Sequence, residues 1–71
     1  MAFSYRRAVG ETIRSYRKQS QLSQEKLAEK ADLNPKYLSE VERGRANISL
    51  DAMVRIAKAL KISLRDLVVD V

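Results

Sequence analysis

One local pattern recurs four times along this chain and limits what the chain can fold into. In each case an apolar residue precedes a Ser or Asn, and a second apolar residue follows that polar residue by four positions. The polar side chain can accept a hydrogen bond from a first-turn helix amide, and the apolar pair can pack as a hydrophobic staple. The pattern therefore predicts four helix starts. The instances are Leu22 with Ser23 and Leu27, Leu33 with Asn34 and Leu38, Ile48 with Ser49 and Met53, and Ile62 with Ser63 and Leu67.

A fifth helix start lies near the N-terminus, where Ser4 can act as the cap. Pro35 suits the first position of the third helix, because that position needs no amide proton, and Gly44 suits the residue after its end. With two glycines, one proline and no strand-like alternation, the chain is predicted to be all-α, a compact five-helix domain. The predicted helices span residues 5–19, 24–31, 35–43, 50–60 and 64–69.

Apolar residues repeat at helical spacing in these segments and predict one inward-facing set. Gly10 interrupts the first helix, where glycine costs about 1 kcal/mol relative to alanine, and we interpret it as a weak spot. Ser63 and Asp66 predict a capping box at the last helix. The predicted core residues are Ile13, Leu22, Leu27, Ala28, Ala31, Leu33, Leu38, Val41, Ile48, Leu50, Met53, Ile56, Ala57, Leu60, Ile62, Leu64 and Leu67.

The length of 71 residues predicts a single domain, residues 1–71, near the smallest size that one core can stabilise. The absence of cysteine excludes disulfides and thiolate metal sites. No apolar run is long enough to span a bilayer and no signal peptide is visible, so we expect a cytoplasmic protein. Fourteen Lys and Arg against nine Asp and Glu give a net charge of +5. This charge suits a polyanion, either nucleic acid or an anionic membrane surface, although basicity can also serve solubility alone.

The third predicted helix carries a charged residue on its apolar side. At 100° per residue, Glu42 falls on the same side as Leu38 and Val41. A buried carboxylate is costly unless a cation pairs with it, and arginine's planar fork suits a carboxylate best. The alternative is that Glu42 reaches solvent at the helix end. The first helix offers three cations as partners, Arg14, Arg17 and Lys18.

The opposite side of this helix is polar along its length. A short second helix precedes it through the tight turn ADLN, so residues 23–43 have the form of a helix-turn-helix. A DNA major groove about 12 Å wide admits one such helix, whose outward side chains then meet base edges. The outward side chains are Lys36, Glu40 and Arg43, with Tyr37 and Ser39 at the flanks.

A resemblance to the Xre family of helix-turn-helix regulators, which includes the phage Cro and CI repressors, is carried by the stretch LSQEKLAEKADLNPKYLSEVERGRANISLDAMVRIAKALKIS. Within it, YLSEVERGRANISL is similar to the small controller proteins of restriction-modification systems. The match covers roughly residues 9–68. It implies a lambda-repressor-like fold of five helices and a two-fold dimer on a palindromic or pseudo-palindromic operator. It also implies an ion pair between Arg17 and Glu42.

The resemblance further implies which residues meet DNA. Gln24 is expected to reach a phosphate and to support the recognition helix. Lys36 suits guanine O6 and N7, and Glu40 suits a cytosine amine. The alternative for both charged residues is a solvated surface role. The implied base contacts are Pro35, Lys36, Ser39 and Glu40, and the implied backbone contacts are Gln24, Tyr37, Arg43, Arg45 and Asn47.

Two positions depart from the family pattern. Pro35 occupies a position often used for polar base contacts, and it can offer only van der Waals contact, for example to a thymine methyl group. Asp32 replaces the glycine common in the turn, and it is expected to adopt a positive φ at some strain. These departures leave the helix-turn-helix motif intact.

The leading hypothesis is a sequence-specific DNA-binding transcriptional regulator that acts as a homodimer on such an operator. Residues 61–71 are the predicted dimerisation segment, for which a frayed tail is the alternative. Because the chain has no room for a ligand-binding domain, regulation is expected to follow protein concentration and not a small-molecule ligand. RNA polymerase is a further expected partner if the protein activates transcription. The predicted interface residues are Leu67, Val68, Val69 and Val71.

Three other classes of function fit the sequence less well. An antitoxin-type module, which neutralises a toxin protein and autoregulates through the same motif, would need a free helix or arm for its partner. An enzyme is not expected, because there is no His, no Cys and no glycine-rich phosphate loop. For the same reasons we expect neither a cofactor nor a metal site. A membrane-surface role for the first helix lacks the required apolar band of Trp, Phe and Leu.

Overall fold

Five α-helices and no strand make up residues 4–68, the part of the chain that the computed structural model describes. Every helix begins at the residue that the sequence predicted. The third helix ends one residue earlier than predicted, and residue 69, predicted for the last helix, lies outside the described residues. The helices are α1 (Tyr5–Gln19), α2 (Gln24–Ala31), α3 (Pro35–Glu42), α4 (Leu50–Leu60) and α5 (Leu64–Val68).

The predicted caps explain these starts. At α5 the capping box is reciprocal, because the Ser63 amide donates to Asp66 Oδ2 at 3.0 Å and the Asp66 amide donates to Ser63 Oγ at 3.3 Å. In the other helices one side-chain oxygen satisfies an amide that has no partner within the helix. The residues that supply this oxygen are Ser4, Ser23, Asn34 and Ser49.

The end of α3 turns the chain back toward α1. The Gly44 amide donates to the Val41 carbonyl at 3.0 Å, and the Arg45 amide donates to the Glu40 carbonyl at 2.9 Å. This pair of bonds is a Schellman motif, which requires a left-handed residue, and Gly44 has a φ of 74°. A Cβ at Gly44 would lie 3.0 Å from the Cα of Arg7, so the loop after α3 runs directly against the first turn of α1.

The core lies between two pairs of packed helices. α2 packs against α4, α1 packs against α3, and α5 contacts both α1 and α4. Except for Leu50, the predicted core residues that are not fully buried, such as Leu22, Ile48 and Ile62, pack against the edge of the core. Val9 and Ala52 are also buried, although periodicity did not select them. The buried apolar residues are Val9, Ile13, Leu27, Ala28, Ala31, Leu38, Val41, Ala52, Ile56, Ala57, Leu60 and Leu67.

The prediction that Leu50 belongs to the core was wrong. Its side chain is 63% exposed. Leu50 shares a helix face with the buried Ala57, seven residues later, which is why the helical period selected it. However, it is the first residue of α4, where the helix extends past the core, and Ile48 and Met53 make the contacts with the core at this end.

The interpretation of Gly10 as a weak spot was also wrong. Gly10 is buried on α1 at the point where that helix crosses α3. A Cβ at this position would clash with the carbonyl oxygen of Val41 and would lie 3.0 Å from the carbonyl oxygen of Glu42. Glycine therefore allows the backbones of α1 and α3 to approach closely, which outweighs its low helix propensity.

The turn between α2 and α3 adopts the conformation expected from the sequence. Asp32 is left-handed, with φ 56° and ψ 49°, and it ends α2. Arg55 on α4 supports this turn, because its Nη1 donates to the Asp32 carbonyl at 3.1 Å. Asp51 holds the same guanidinium through a contact of 3.0 Å between Nη2 and Oδ2. Arg55 thus connects the turn between α2 and α3 to α4.

None of the helices in residues 4–68 combines the length and the apolar character needed to cross a membrane.

Candidate nucleic-acid interface

The helix α3 has a buried side and an exposed side, as its sequence predicted. On the buried side, Leu38 is 0%, Val41 1% and Glu42 6% exposed. On the other side Lys36 is exposed, and Arg43, two helical turns later, is exposed directly after the helix ends. Exposed basic residues therefore lie near both ends of α3, on the side opposite the buried residues.

Glu42 is held by a two-point ion pair from α1. Arg17 Nε donates to Oε2 at 2.7 Å, and Arg17 Nη2 donates to Oε1 at 3.1 Å. The side chains of the pair are 12% and 2% exposed. Of the three cations that the sequence offered, the structure uses Arg17, and neither Arg14 nor Lys18. The alternative, in which Glu42 reaches solvent, was wrong.

Two further hydrogen bonds complete the surroundings of this pair. Arg17 Nη1 donates to the Leu22 carbonyl at 2.8 Å, so the guanidinium also holds the chain between α1 and α2. Gln24 Nε2, in the first turn of α2, donates to Glu42 Oε1 at 3.1 Å. One carboxylate on α3 is therefore bonded to both preceding helices, which satisfies the requirement that a buried charge be paired and hydrogen-bonded. The half-buried Gln24 amide keeps a second proton for another acceptor.

Four residues of α3 were predicted to meet bases, and the structure distributes them unequally. Pro35 and Lys36 are exposed, whereas Ser39 and Glu40 are half-buried. Glu40 differs most from the expectation of an outward carboxylate. Its Oε2 is buried and has no hydrogen-bond partner among residues 4–68. Only Oε1 of Glu40 is therefore open to the surface, so this side chain can accept a hydrogen bond from a base through one oxygen only.

The loop after α3, residues 43–49, carries three of the predicted backbone contacts. Arg43, Arg45 and Asn47 are exposed. Tyr37 holds this loop from α3, because its hydroxyl donates to the Asn47 carbonyl at 3.2 Å and accepts from the Ser49 amide at 3.4 Å. The single hydroxyl proton of Tyr37 is thus used within the protein. This geometry argues against the predicted contact from Tyr37 to a phosphate.

Two residues near this surface were missed by sequence reasoning. Tyr5, at the start of α1, donates its hydroxyl proton to Asn47 Oδ1 at 2.8 Å. Arg55 supports the turn that precedes α3. The spacing of four between Asp51 and Arg55 was a visible signal for the helical ion pair on α4. No local signal links Tyr5 to Asn47, because the two residues lie 42 positions apart.

The predicted dimer-interface residues fall into three groups. Leu67 is 1% exposed and belongs to the core, so it has no surface left for a partner, and its prediction as an interface residue was wrong. Leu67 follows the capping box of α5 directly, and α5 packs against both α1 and α4. Val68 is half-buried against the core. Val69 and Val71 lie outside the described residues.

Within residues 4–68, no cluster of three or more His, Cys, Asp or Glu side chains has the arrangement of a metal site. The surface around α3 offers hydrogen-bond donors and positive charge from Lys36, Arg43 and Arg45. Such a surface suits a phosphate backbone with base edges beside it.

Comparisons of the sequence and of the structure with known proteins both identify helix-turn-helix proteins as similar to this chain. The family model described as helix-turn-helix matches residues 13–67. The control protein C.BamHI of Bacillus amyloliquefaciens is 43% identical over 68 residues, which are 94% of this chain and 84% of that protein. The crystal structure of the restriction-modification controller protein C.AhdI from Aeromonas hydrophila superposes with a TM-score of 0.88 at 37% identity, covering 92% of this chain and 98% of that one.

A third comparison comes from a regulator whose structure includes DNA. SinR, described as the master regulator for biofilm formation, superposes in its DNA complex with a TM-score of 0.80 at 35% identity. The superposition covers 83% of this chain and 95% of that one. These relatives are control proteins and regulators, and none of the three is an enzyme. This protein belongs to the helix-turn-helix family of DNA-binding transcription regulators and resembles the restriction-modification control proteins within it.

Proposed function

We propose that this protein binds a palindromic or pseudo-palindromic DNA operator as a homodimer and controls transcription from it. The observation that carries the proposal is the division of α3 into a polar exposed side with Lys36 and a buried side fixed by Glu42. A helix whose buried side is held by an ion pair and whose exposed side is polar is suited to enter a major groove.

Direct reading of bases is assigned to the exposed side of α3. Lys36 extends from the first turn of the helix and can donate to guanine O6 and N7. Ser39, one turn later, can donate to or accept from several bases, and Oε1 of Glu40 can accept from a cytosine amine. Pro35 supplies an apolar contact at the start of the helix. We assign the dominant share of sequence preference to Lys36, because Ser39 and Glu40 are half-buried and Lys36 is an exposed polar residue.

Contacts with the DNA backbone are assigned to residues on both sides of α3. Gln24 can use its second amide proton for a phosphate while the first remains on Glu42. Arg43, Arg45 and Asn47 extend from the loop after α3 and are exposed. Phosphate contacts from two sides set the depth and register of the helix in the groove without reading sequence.

The homodimer would place two copies of α3 on the same face of the duplex. For helix-turn-helix dimers the half-sites lie one helical turn apart, about 34–36 Å. Val68, at the end of α5, and the following Val69 and Val71 remain the proposed contact between protomers, without Leu67. Control of transcription would then follow protein concentration, and contact with RNA polymerase would be needed only for activation.

Selection of bound sequences from random DNA tests this proposal most directly. The expected result is a two-fold motif whose half-site centres lie about one helical turn apart. The wild-type protein is compared with Lys36→Ala and with Lys58→Ala, a control that removes an exposed lysine from α4.

Two outcomes of this selection would contradict the proposal. Recovery of no sequence motif, with equal binding to all duplexes, would leave only non-specific attraction by a basic protein. Failure to bind any duplex at low ionic strength, together with copurification of a second protein at fixed stoichiometry, would favour the antitoxin-type alternative.

A further inference from the structure

Asn47 is an exposed loop residue, yet both its backbone and its side chain are fixed by tyrosines from two different helices. Tyr37 on α3 donates its hydroxyl proton to the Asn47 carbonyl at 3.2 Å. Tyr5 on α1 donates its hydroxyl proton to Asn47 Oδ1 at 2.8 Å. The Tyr5 bond connects residues 42 positions apart and joins the first turn of α1 to the loop after α3.

The bond from Tyr5 determines which end of the Asn47 amide faces outward. An asparagine side chain has an acceptor oxygen at one end and an NH₂ group with two donors at the other. Because Oδ1 accepts the Tyr5 proton, the amide oxygen is held toward α1 and Nδ2 is turned away from it. An outward NH₂ group attracts a phosphate oxygen, whereas an outward carbonyl oxygen would repel it.

The same bond makes a direct phosphate contact from Tyr5 itself unfavourable. A phenol has a single proton to donate, and that proton is already on Asn47 Oδ1. Tyr5 is 48% exposed, so its burial contributes little to the core. The bond therefore contributes to the orientation of a loop residue more than to the stability of the domain.

We propose that Tyr5 is a positioning residue, which holds the Asn47 amide with its NH₂ group directed toward a DNA phosphate. The proposal rests on the proposed function, because it assumes that the loop after α3 lies against the DNA backbone. Tyr37 fixes the position of the Asn47 backbone, and Tyr5 fixes the orientation of the Asn47 side chain. DNA then meets a donor that is already oriented.

A double-mutant cycle on DNA affinity tests this role with four proteins: wild type, Tyr5→Phe, Asn47→Ala and the double variant. Tyr5→Phe removes only the hydroxyl, and it should weaken binding to every duplex by about 3- to 10-fold, the range expected for one hydrogen bond. In the Asn47→Ala background, Tyr5→Phe should cause no further loss. Tyr16→Phe is the matched control, because it removes a hydroxyl from the same helix.

A second readout separates orientation from general stability. The side-chain NH₂ resonances of Asn47, recorded by NMR on the free protein, should shift with Tyr5→Phe and stay unchanged with Tyr16→Phe. The urea midpoint of Tyr5→Phe should remain close to that of the wild type, because one exposed hydrogen bond contributes little to stability.

Three results would overturn the proposal. If the losses from Tyr5→Phe and Asn47→Ala multiply in the double variant, Tyr5 acts independently of Asn47. If the wild type binds DNA and Tyr5→Phe binds equally well, the Tyr5 hydroxyl has no part in binding, while the proposed function stands. If the wild type binds no duplex, the proposed function fails and this inference fails with it.

Discussion

Residues in α3 and directly after it face opposite environments. Val41 and Glu42 are buried, while Lys36 and Arg43 are exposed, and all four lie within eight positions of each other. Changes on the buried side should therefore alter the free energy of unfolding, and changes on the exposed side should alter DNA binding. The two kinds of effect can be measured separately in this domain.

Lys36→Ala should relax the base preference at one position of each half-site. The loss at the preferred base should be about 1–3 kcal/mol, the range for one good base contact, with a smaller loss on random DNA. Binding to a panel of operators that differ at single positions measures this effect. Lys58→Ala serves as the control. Equal weakening on every sequence would mean that Lys36 contacts phosphate only.

Arg17→Ala should destabilise the domain, because it leaves the Glu42 carboxylate buried without its cation. The free energy of unfolding in urea should fall by about 3 kcal/mol or more. Arg14→Ala, which removes an exposed arginine from the same helix, is the control.

The double variant Arg17→Met with Glu42→Leu should lose much less free energy of unfolding than Arg17→Ala alone, because an apolar pair leaves no buried charge. A loss from Arg17→Ala no larger than that from Arg14→Ala would contradict the role of this ion pair.

At the scale of elements, the backbones of α1 and α3 approach each other closely at Gly10. The backbone carbonyls of Val41 and Glu42 lie where a side chain on residue 10 would have to be. The ion pair from Arg17 joins the same two helices. The orientation of α3 therefore depends on α1, although α1 carries none of the residues predicted to read bases.

Gly10→Ala should lower the free energy of unfolding by about 1–3 kcal/mol, as expected for overpacking against rigid backbone atoms. Helix propensity alone predicts the opposite effect, an increase of about 1 kcal/mol in the free energy of unfolding. Urea denaturation of Gly10→Ala beside Ser15→Ala, an exposed position of the same helix, distinguishes the two effects. A stabilised Gly10→Ala variant would show that the contact between the helices can widen without cost.

At the scale of the whole molecule, the sequence predicted the helices and most of the core, because caps and helical periods are local properties. It failed where the answer depends on the relative positions of helices. Leu50 has the correct period but lies beyond the core, and the need for Gly10 depends on the backbone of α3. In the candidate site, burial requirements and family resemblance predicted the Arg17–Glu42 pair. The bond from Tyr5 to Asn47 joins distant segments and had no local signal.

A dimer of this domain should bind an operator with a strict half-site spacing. Inserting five base pairs between the half-sites rotates one of them to the opposite face of the duplex, so that only one copy of α3 can enter its groove. Affinity should then fall to that of a single half-site, as measured by gel shift or fluorescence anisotropy. The same insertion outside the half-sites is the control. Unchanged affinity would show that the protomers bind independently.

The bonds that converge on Glu42 also affect how the protein would associate with DNA. Because α1 and α2 hold α3 before any ligand arrives, docking does not have to select one helix orientation from many. The conformational entropy that the protein loses on association then comes mainly from long exposed side chains such as Lys36 and Arg45, at about 0.5–1.5 kcal/mol for each side chain immobilised. Preorganisation of this kind should appear in calorimetry as rigid-body docking, without the large negative heat-capacity change that accompanies coupled folding.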